Sequence, residues 1–225
     1  MLSMIAEDLV NQLIPPLKVS DTAGKAAKWL EEFHVSQLPV LDGRQYVGLV
    51  TDSDVTNYEH PAHQLATLPL GYATAYVQRH QHFYNIMEAA VQHKIQLVPV
   101  LNDQREYLGV VTISDVLAAF GQSPDVAGRG GILVLSMNER DYSLSQISRY
   151  VEENNAKILS AHVAQDEQDS YKIQLTLRLN TPQMQRIVAT LERFGFVITA
   201  QFSGPEDTVP EDQERYDALL KYLSL

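Results

Sequence analysis

The chain contains no cysteine. Disulfides and thiolate chemistry are therefore excluded, and a reducing, cytoplasmic compartment is the expectation. Basic residues are in deficit: 17 Lys and Arg face 28 Asp and Glu, for a net charge of −11. Affinity for nucleic acid comes largely from Lys and Arg neutralising phosphates, so no nucleic-acid partner is expected. A small anionic ligand held by backbone amides is not excluded. No apolar run approaches the ~20 residues of a membrane-spanning helix, so no membrane partner is expected either. The opening stretch MLSMIAEDLVNQLIPP carries Glu7 and Asp8 and no early Lys or Arg, which argues against a signal peptide.

Catalytic signatures are missing as well. There is no Gly-x-Ser-x-Gly, no Gly-rich phosphate loop ending in Lys, and no metal-ligand spacing. No catalytic residue and no catalytic cofactor are assigned, and the chain is read as not an enzyme. His60 and His63 share a spacing of three with Glu59 nearby, and His80 and His82 sit in a strand-like run. A metal site wants at least three convergent ligands, and spacing supplies no third, so no metal is expected.

What the chain does have, it has twice. Residues 38–55 read LPVLDGRQYVGLVTDSDV and residues 98–116 read VPVLNDQREYLGVVTISDV. Pro39 and Pro99 are 60 apart, whereas Gly48/Gly109, Thr51/Thr112 and Asp54/Asp115 are each 61 apart. The second copy thus carries one extra residue in its turn. Matched apolar runs at such a period signal a duplicated structural unit.

Around each copy the pattern reads helix, strand, strand, helix. Leu2, Ile5, Leu9, Leu13 and Ile14 fall at helical spacing and predict a first helix over 2–14, stopped by Pro15-Pro16. Asp21-Thr22 caps a second helix that carries Trp29 and Phe33, read as core or dimer contacts. Asp42-Gly43 marks a hairpin between strands 37–41 and 46–50. After a connector the order repeats with helix 83–93, strands 96–101 and 107–111, and helix 113–120. GQSPDVAGRGG (121–131) reads as a linker. Beyond it the order is βαββαβ, a ferredoxin-like unit, with Thr181 as cap and Pro182 as first residue of a helix 182–193. The last stretch, 204–225, is an acidic tail ending in the amphipathic ERYDALLKYLSL.

The candidate site is the pair GLVTDSD (48–54) and GVVTISD (109–115). Each joins a strand end to a helix start, where free N–H groups favour anions. Asp54 and Asp115 lie three residues beyond Thr51 and Thr112, where a carboxylate can accept two hydrogen bonds from a ribose diol. Val35 and Pro39, with their counterparts Ile95 and Pro99, offer apolar walls for a purine. The competing reading is a capping box, in which Thr-x-x-Asp satisfies orphan N–H groups without any ligand.

These residues resemble a family. Two helix–strand–strand–helix units, each with Leu/Val-Pro-Val, a hairpin and Gly-hydrophobic-Val-Thr-x-x-Asp, are similar to a tandem pair of CBS domains, the Bateman module. The resemblance implies an α/β (α+β) fold with the two motifs, about 13–58 and 77–120, as a pseudo-symmetric pair within residues 1–122. It implies clefts for an adenosine-type ligand such as AMP, ADP, ATP or S-adenosylmethionine, with Asp54 and Asp115 on ribose and Thr51 and Thr112 beside ribose or phosphate. Many members carry Arg or Lys before the Asp; Ser53 and Ser114 stand there in this chain, and Asp52 makes the first mouth more acidic. If only one cleft takes a phosphate-bearing ligand, the one with Thr112 and Asp115 is therefore expected. Residues 123–130 follow as linker, and 131–203 resemble an ACT-like domain. The ligand turn of that family needs a Gly where Tyr142 stands, so side-by-side dimerisation is the expectation there. The whole layout resembles acetoin-utilisation-type accessory proteins. From the CBS and ACT-like resemblance, a regulatory homodimer is the expectation, with a ligand-free dimerisation scaffold as the alternative.

Overall fold

The computed structural model describes residues 4–56, 61–122 and 130–203. The expected linker 123–130, apart from Gly130, the acidic tail over 204–225, and Glu59 and His60 lie outside the described residues. The chain divides into two compact units, residues 1–122 and 123–225. Each has its own apolar cluster, and the two clusters share no residue.

The N-terminal unit is built from two copies of one plan. In the first copy, β1 (Leu17–Lys18), α1 (Ala23–Glu32), β2 (Gln37–Asp42), β3 (Gln45–Thr51) and α2 (Asp52–Thr56) follow in order. In the second, β4 (Val77–Gln78), α3 (Phe83–His93), β5 (Leu97–Leu101), β6 (Tyr107–Thr112) and α4 (Ile113–Gly121) repeat it. Each copy forms a three-stranded sheet, β1-β2-β3 or β4-β5-β6, parallel at the first pair and antiparallel at the second. The registers match. Val40 faces Gly48 as Val100 faces Gly109, and both ladders slip one position further on, at Leu41 and Leu101. The extra residue of the second copy is absorbed in the turn, where Asn102 Oδ1 accepts the N–H groups of Gln104 and Glu106.

Proline in a central strand normally breaks a ladder. Pro39 escapes that cost because β1 pairs only with Val40 and Leu41. Opposite Pro39, the Leu49 N–H points away from the pair and donates to the Gly71 carbonyl at 3.0 Å. Both Leu/Val-Pro-Val runs are buried on both faces, which is why they read as unbroken apolar stretches.

Over the described residues 4–14 the expected helix does not form; the stretch holds a 3-10 turn, Ala6–Leu9, then a bridge at Asn11 and a bend at Leu13 and Ile14. The backbone is used elsewhere: the N–H groups of Ala6 and Glu7 donate to the carbonyls of Gln81 and Arg79, and Asn11 bridges Val110. The connector does the same to the first copy, with Leu65 and Ala66 donating to Asp21 and Val19, and Leu49 bridging Gly71. Each copy is thus closed by the segment that precedes the other. Gly48 and Gly109 are the contact points. A Cβ on Gly48 would lie 2.5 Å from the Gly71 carbonyl oxygen, and one on Gly109 would lie 2.4 Å from Val10 Cγ1.

The second unit runs β7 (Gly131–Asn138), α5 (Leu144–Glu152), β8 (Ile158–Gln165), β9 (Lys172–Leu179), α6 (Gln185–Arg193) and β10 (Val197–Ser203). Its sheet order is β10-β7-β9-β8 with every neighbour antiparallel, the split-βαβ topology of a ferredoxin-like unit. Alternate residues of β7 and β9, including Leu133, Leu135, Leu175 and Leu177, are buried with Ile147 and Val151 of α5 and Ile187 and Leu191 of α6. Helix α6 starts at Gln185, not at Pro182, because Thr181 accepts the Gln183 N–H in a turn that precedes the helix.

Candidate functional site

Thr51 ends β3 and Asp54 sits in the first turn of α2. The Asp54 Oδ2 accepts the Thr51 N–H at 2.8 Å and the Thr51 hydroxyl at 2.7 Å, while Thr51 Oγ1 accepts the Asp54 N–H at 3.2 Å. Thr112 and Asp115 repeat this between β6 and α4 at 2.9, 2.6 and 3.0 Å. Both capping boxes are complete, so the Thr–Asp pairs have a structural role whatever else they do. All four residues are half-buried and reachable from solvent.

The boxes are not equivalent. Asn11 Nδ2 lies 3.3 Å from each oxygen of Asp115. At the matching position of the first copy stands Gly71, which bridges Leu49 as Asn11 bridges Val110. Among the described residues, Asp54 consequently receives no such amide.

Thr112, Ile113 and Ser114 border a cleft of about 500 Å³, whose far wall is Phe33 to Gln37 from the first copy, with Ile14, Gln96 and Leu97 completing it. Of the sequence-predicted residues, Val35 and Thr112 line this cleft. Pro39, Ile95 and Pro99 are buried and are not among the residues that line this cleft. Ile14, Phe33, Leu97 and Ile113 supply the apolar wall in their place, and spacing alone does not single them out. His34 and Lys94, both just past a helix and both with left-handed φ near +55°, occupy matching places in the two copies. That repeat at the two helix ends was a signal available in the sequence. Gln37 is the one buried polar residue among those described, and its side-chain oxygen accepts the Gln96 N–H at 3.2 Å, joining the two copies.

The lining contains no Lys or Arg among the described residues; His34 is its titratable group. Two nearby cations are committed elsewhere, Arg79 at 3.4 Å from Glu7 and Arg105 above the Tyr76 ring at 5.2 Å. Of the histidines, His82 caps α3 through Nδ1 and His80 lies 3.8 Å from Asp103. In the second unit, the turn after β7 is the 3-10 segment Glu139–Asp141, and Tyr142 packs against the core of that unit.

The CBS domain family matches residues 6–60 and 75–122. A curated relative, the inosine-5'-monophosphate dehydrogenase of Methanocaldococcus jannaschii, is 24% identical over 116 residues, covering 50% of this chain. The chain spans only 23% of that enzyme's length. Among solved structures, a CBS domain pair/ACT domain protein from Thermotoga maritima aligns with 52% of this chain and 96% of its own, at 18% identity and a TM-score of 0.47. CBSX2 in complex with AMP aligns with 52% and 96% of the two chains at 21% identity and a TM-score of 0.44. A candidate acetoin utilization protein from Vibrio cholerae aligns with 52% and 89% at 17% identity and a TM-score of 0.44. Residues 6–60 and 75–122 are two CBS domains in tandem, which makes this chain a tandem CBS-domain protein.

Proposed function

We propose that this protein is a non-enzymatic regulatory protein that binds an adenosine-type ligand, AMP, ADP, ATP or S-adenosylmethionine, in the clefts of its CBS pair. The observation that carries the reading is the repeated Thr–Asp constellation at two strand-to-helix mouths, one of them beside a cleft of about 500 Å³ walled by both copies. A cleft of that volume is in the ordinary range for a small-molecule site. Asp54 and Asp115 take the ribose hydroxyls, and Thr51 and Thr112 stand beside ribose or phosphate. Val35 with Ile14, Phe33 and Leu97 walls the base. With no Lys or Arg on the described wall, a nucleoside, a monophosphate or S-adenosylmethionine fits better than a triphosphate.

Because the cleft is walled by both copies, a ligand that bridges them biases how they pack, by as much as its affinities for the two packings differ. The ferredoxin-like unit, read as an ACT-like domain, and a homodimer interface would report that change. The exposed Tyr84, Met87 and Val91 of α3 and Leu117 and Phe120 of α4 support a second copy as partner. Sedimentation velocity tests the homodimer directly. Isothermal calorimetry against an adenine-nucleotide and S-adenosylmethionine panel tests the ligand reading. Binding that disappears in the Asp54→Ala/Asp115→Ala double variant is the expected result. Silence toward the whole panel, or unchanged binding in the double variant, favours the second reading, a dimerisation scaffold whose Thr–Asp pairs only cap helices. The completeness of both capping boxes is what supports that alternative.

A further inference from the structure

The two Thr–Asp pairs differ in one neighbour, and that neighbour comes from outside their own motif. Asn11 belongs to the extended segment that closes the second copy, with its N–H donating to the Val110 carbonyl at 2.7 Å. Its side-chain oxygen accepts the Leu13 N–H at 2.8 Å, which turns the amide nitrogen toward Asp115, 3.3 Å from both carboxylate oxygens. A carboxylate has about four acceptor positions. On Asp115, the Thr112 N–H, the Thr112 hydroxyl and the Asn11 amide are all in place. On Asp54, Oδ2 is used by Thr51, and Oδ1 has no hydrogen-bond partner among the described residues. Gly71 is the reason, since it holds Asn11's place in the backbone bridge without a side chain.

Resting on the adenosine reading above, we infer that Asn11 decides which mouth takes a ribose. The first mouth, with Asp54 and Gly71, presents a carboxylate whose Oδ1 has no amide on it among the described residues, leaving that oxygen for a cis-diol. The second presents a carboxylate whose two oxygens are already bridged by an amide, so a diol binds there only by displacing Asn11. Losing a hydrogen bond to a charged acceptor weakens binding roughly 10- to 100-fold. This reverses, for the ribose, the preference for Asp115 that the acidity of Asp52 suggests.

The test is calorimetric titration of the full chain with AMP and with 2'-deoxy-AMP. Wild type is expected to take one AMP per chain tightly, to lose it in Asp54→Asn and to keep it in Asp115→Asn. Asn11→Ala is expected to add a second site or tighten a weak one by roughly 10-fold or more. Gly71→Asn is the reciprocal graft, and a Cβ added there meets nothing within 4 Å, so the variant is expected to fold. It should weaken AMP at the first mouth and leave 2'-deoxy-AMP much less affected. Equal binding at both mouths in wild type, or loss of AMP in Asn11→Ala, overturns the inference while leaving the adenosine reading intact. Absence of AMP binding in wild type and in Asn11→Ala alike overturns both.

Discussion

Gly48 and Gly109 hold the same place in the two motifs, yet substitution should not cost the same. The Cβ of Gly48→Ala meets a backbone carbonyl oxygen, whereas that of Gly109→Ala meets a valine methyl group. A side chain can yield where a bridged backbone cannot. Overpacking of this kind costs about 1–3 kcal/mol, so Gly48→Ala is expected near the top of that range and Gly109→Ala near the bottom, read as urea midpoints. The capping boxes give a second prediction at this scale. Thr51→Ala and Thr112→Ala should each lose about 1 kcal/mol whether or not ligand is present. The phenols give a third. Burial, reinforced for Tyr46 by the neighbouring Tyr107, pushes both hydroxyls well above the ordinary tyrosine range. A raised acid pKa means the neutral form is favoured in the folded state. Its stabilisation is complete below the unfolded value of about 10 and is lost as pH rises beyond it. Of 11 tyrosines, Tyr46 and Tyr107 should ionise only with alkaline unfolding, followed by absorbance at 295 nm.

At the scale of elements, the segment before the first motif belongs energetically to the second. Its apolar residues have helical spacing, but two strong demands outweigh helix propensity. The Gly109 gap accepts Val10, and the carbonyls of Gln81, Arg79 and Val110 are satisfied by N–H groups of Ala6, Glu7 and Asn11. Buried backbone acceptors need such partners. Removal of residues 1–12 should therefore speed amide exchange in β4 to α3 and in β6, and leave β2 and β3 protected. Faster exchange in β2 and β3 alone would refute the exchanged closure. The helices proper were legible because their caps and apolar spacings agree. Thr22, His82, Thr112 and Ser143 all accept an N–H from the first turn of the helix they precede.

For the whole molecule, the separate apolar clusters predict separate cooperativity. Residues 1–122 and 123–225 expressed alone should each unfold in a single calorimetric transition. Adenosine-type ligands should raise the midpoint of the first alone, since a ligand stabilises only the state that binds it. A shift confined to the second piece would move the site out of the CBS pair.

The sequence by itself determined the duplication, the strand–turn–strand core of each copy and the βαββαβ order that follows. These rest on local chemistry: apolar runs of strand length, hairpin residues, caps, and Thr-x-x-Asp at each strand-to-helix junction. Only the tertiary structure decided how the copies close on each other and what each carboxylate touches. Asn11 reaches Asp115 across 104 positions of chain. Phe33 to Gln37 share a cleft with Thr112 to Ser114, 75 to 81 positions further along the chain. Contacts of that kind depend on where a folded backbone crosses another, and no local pattern encodes the crossing. Pro39 and Pro99 are buried because a central strand is buried on both of its faces.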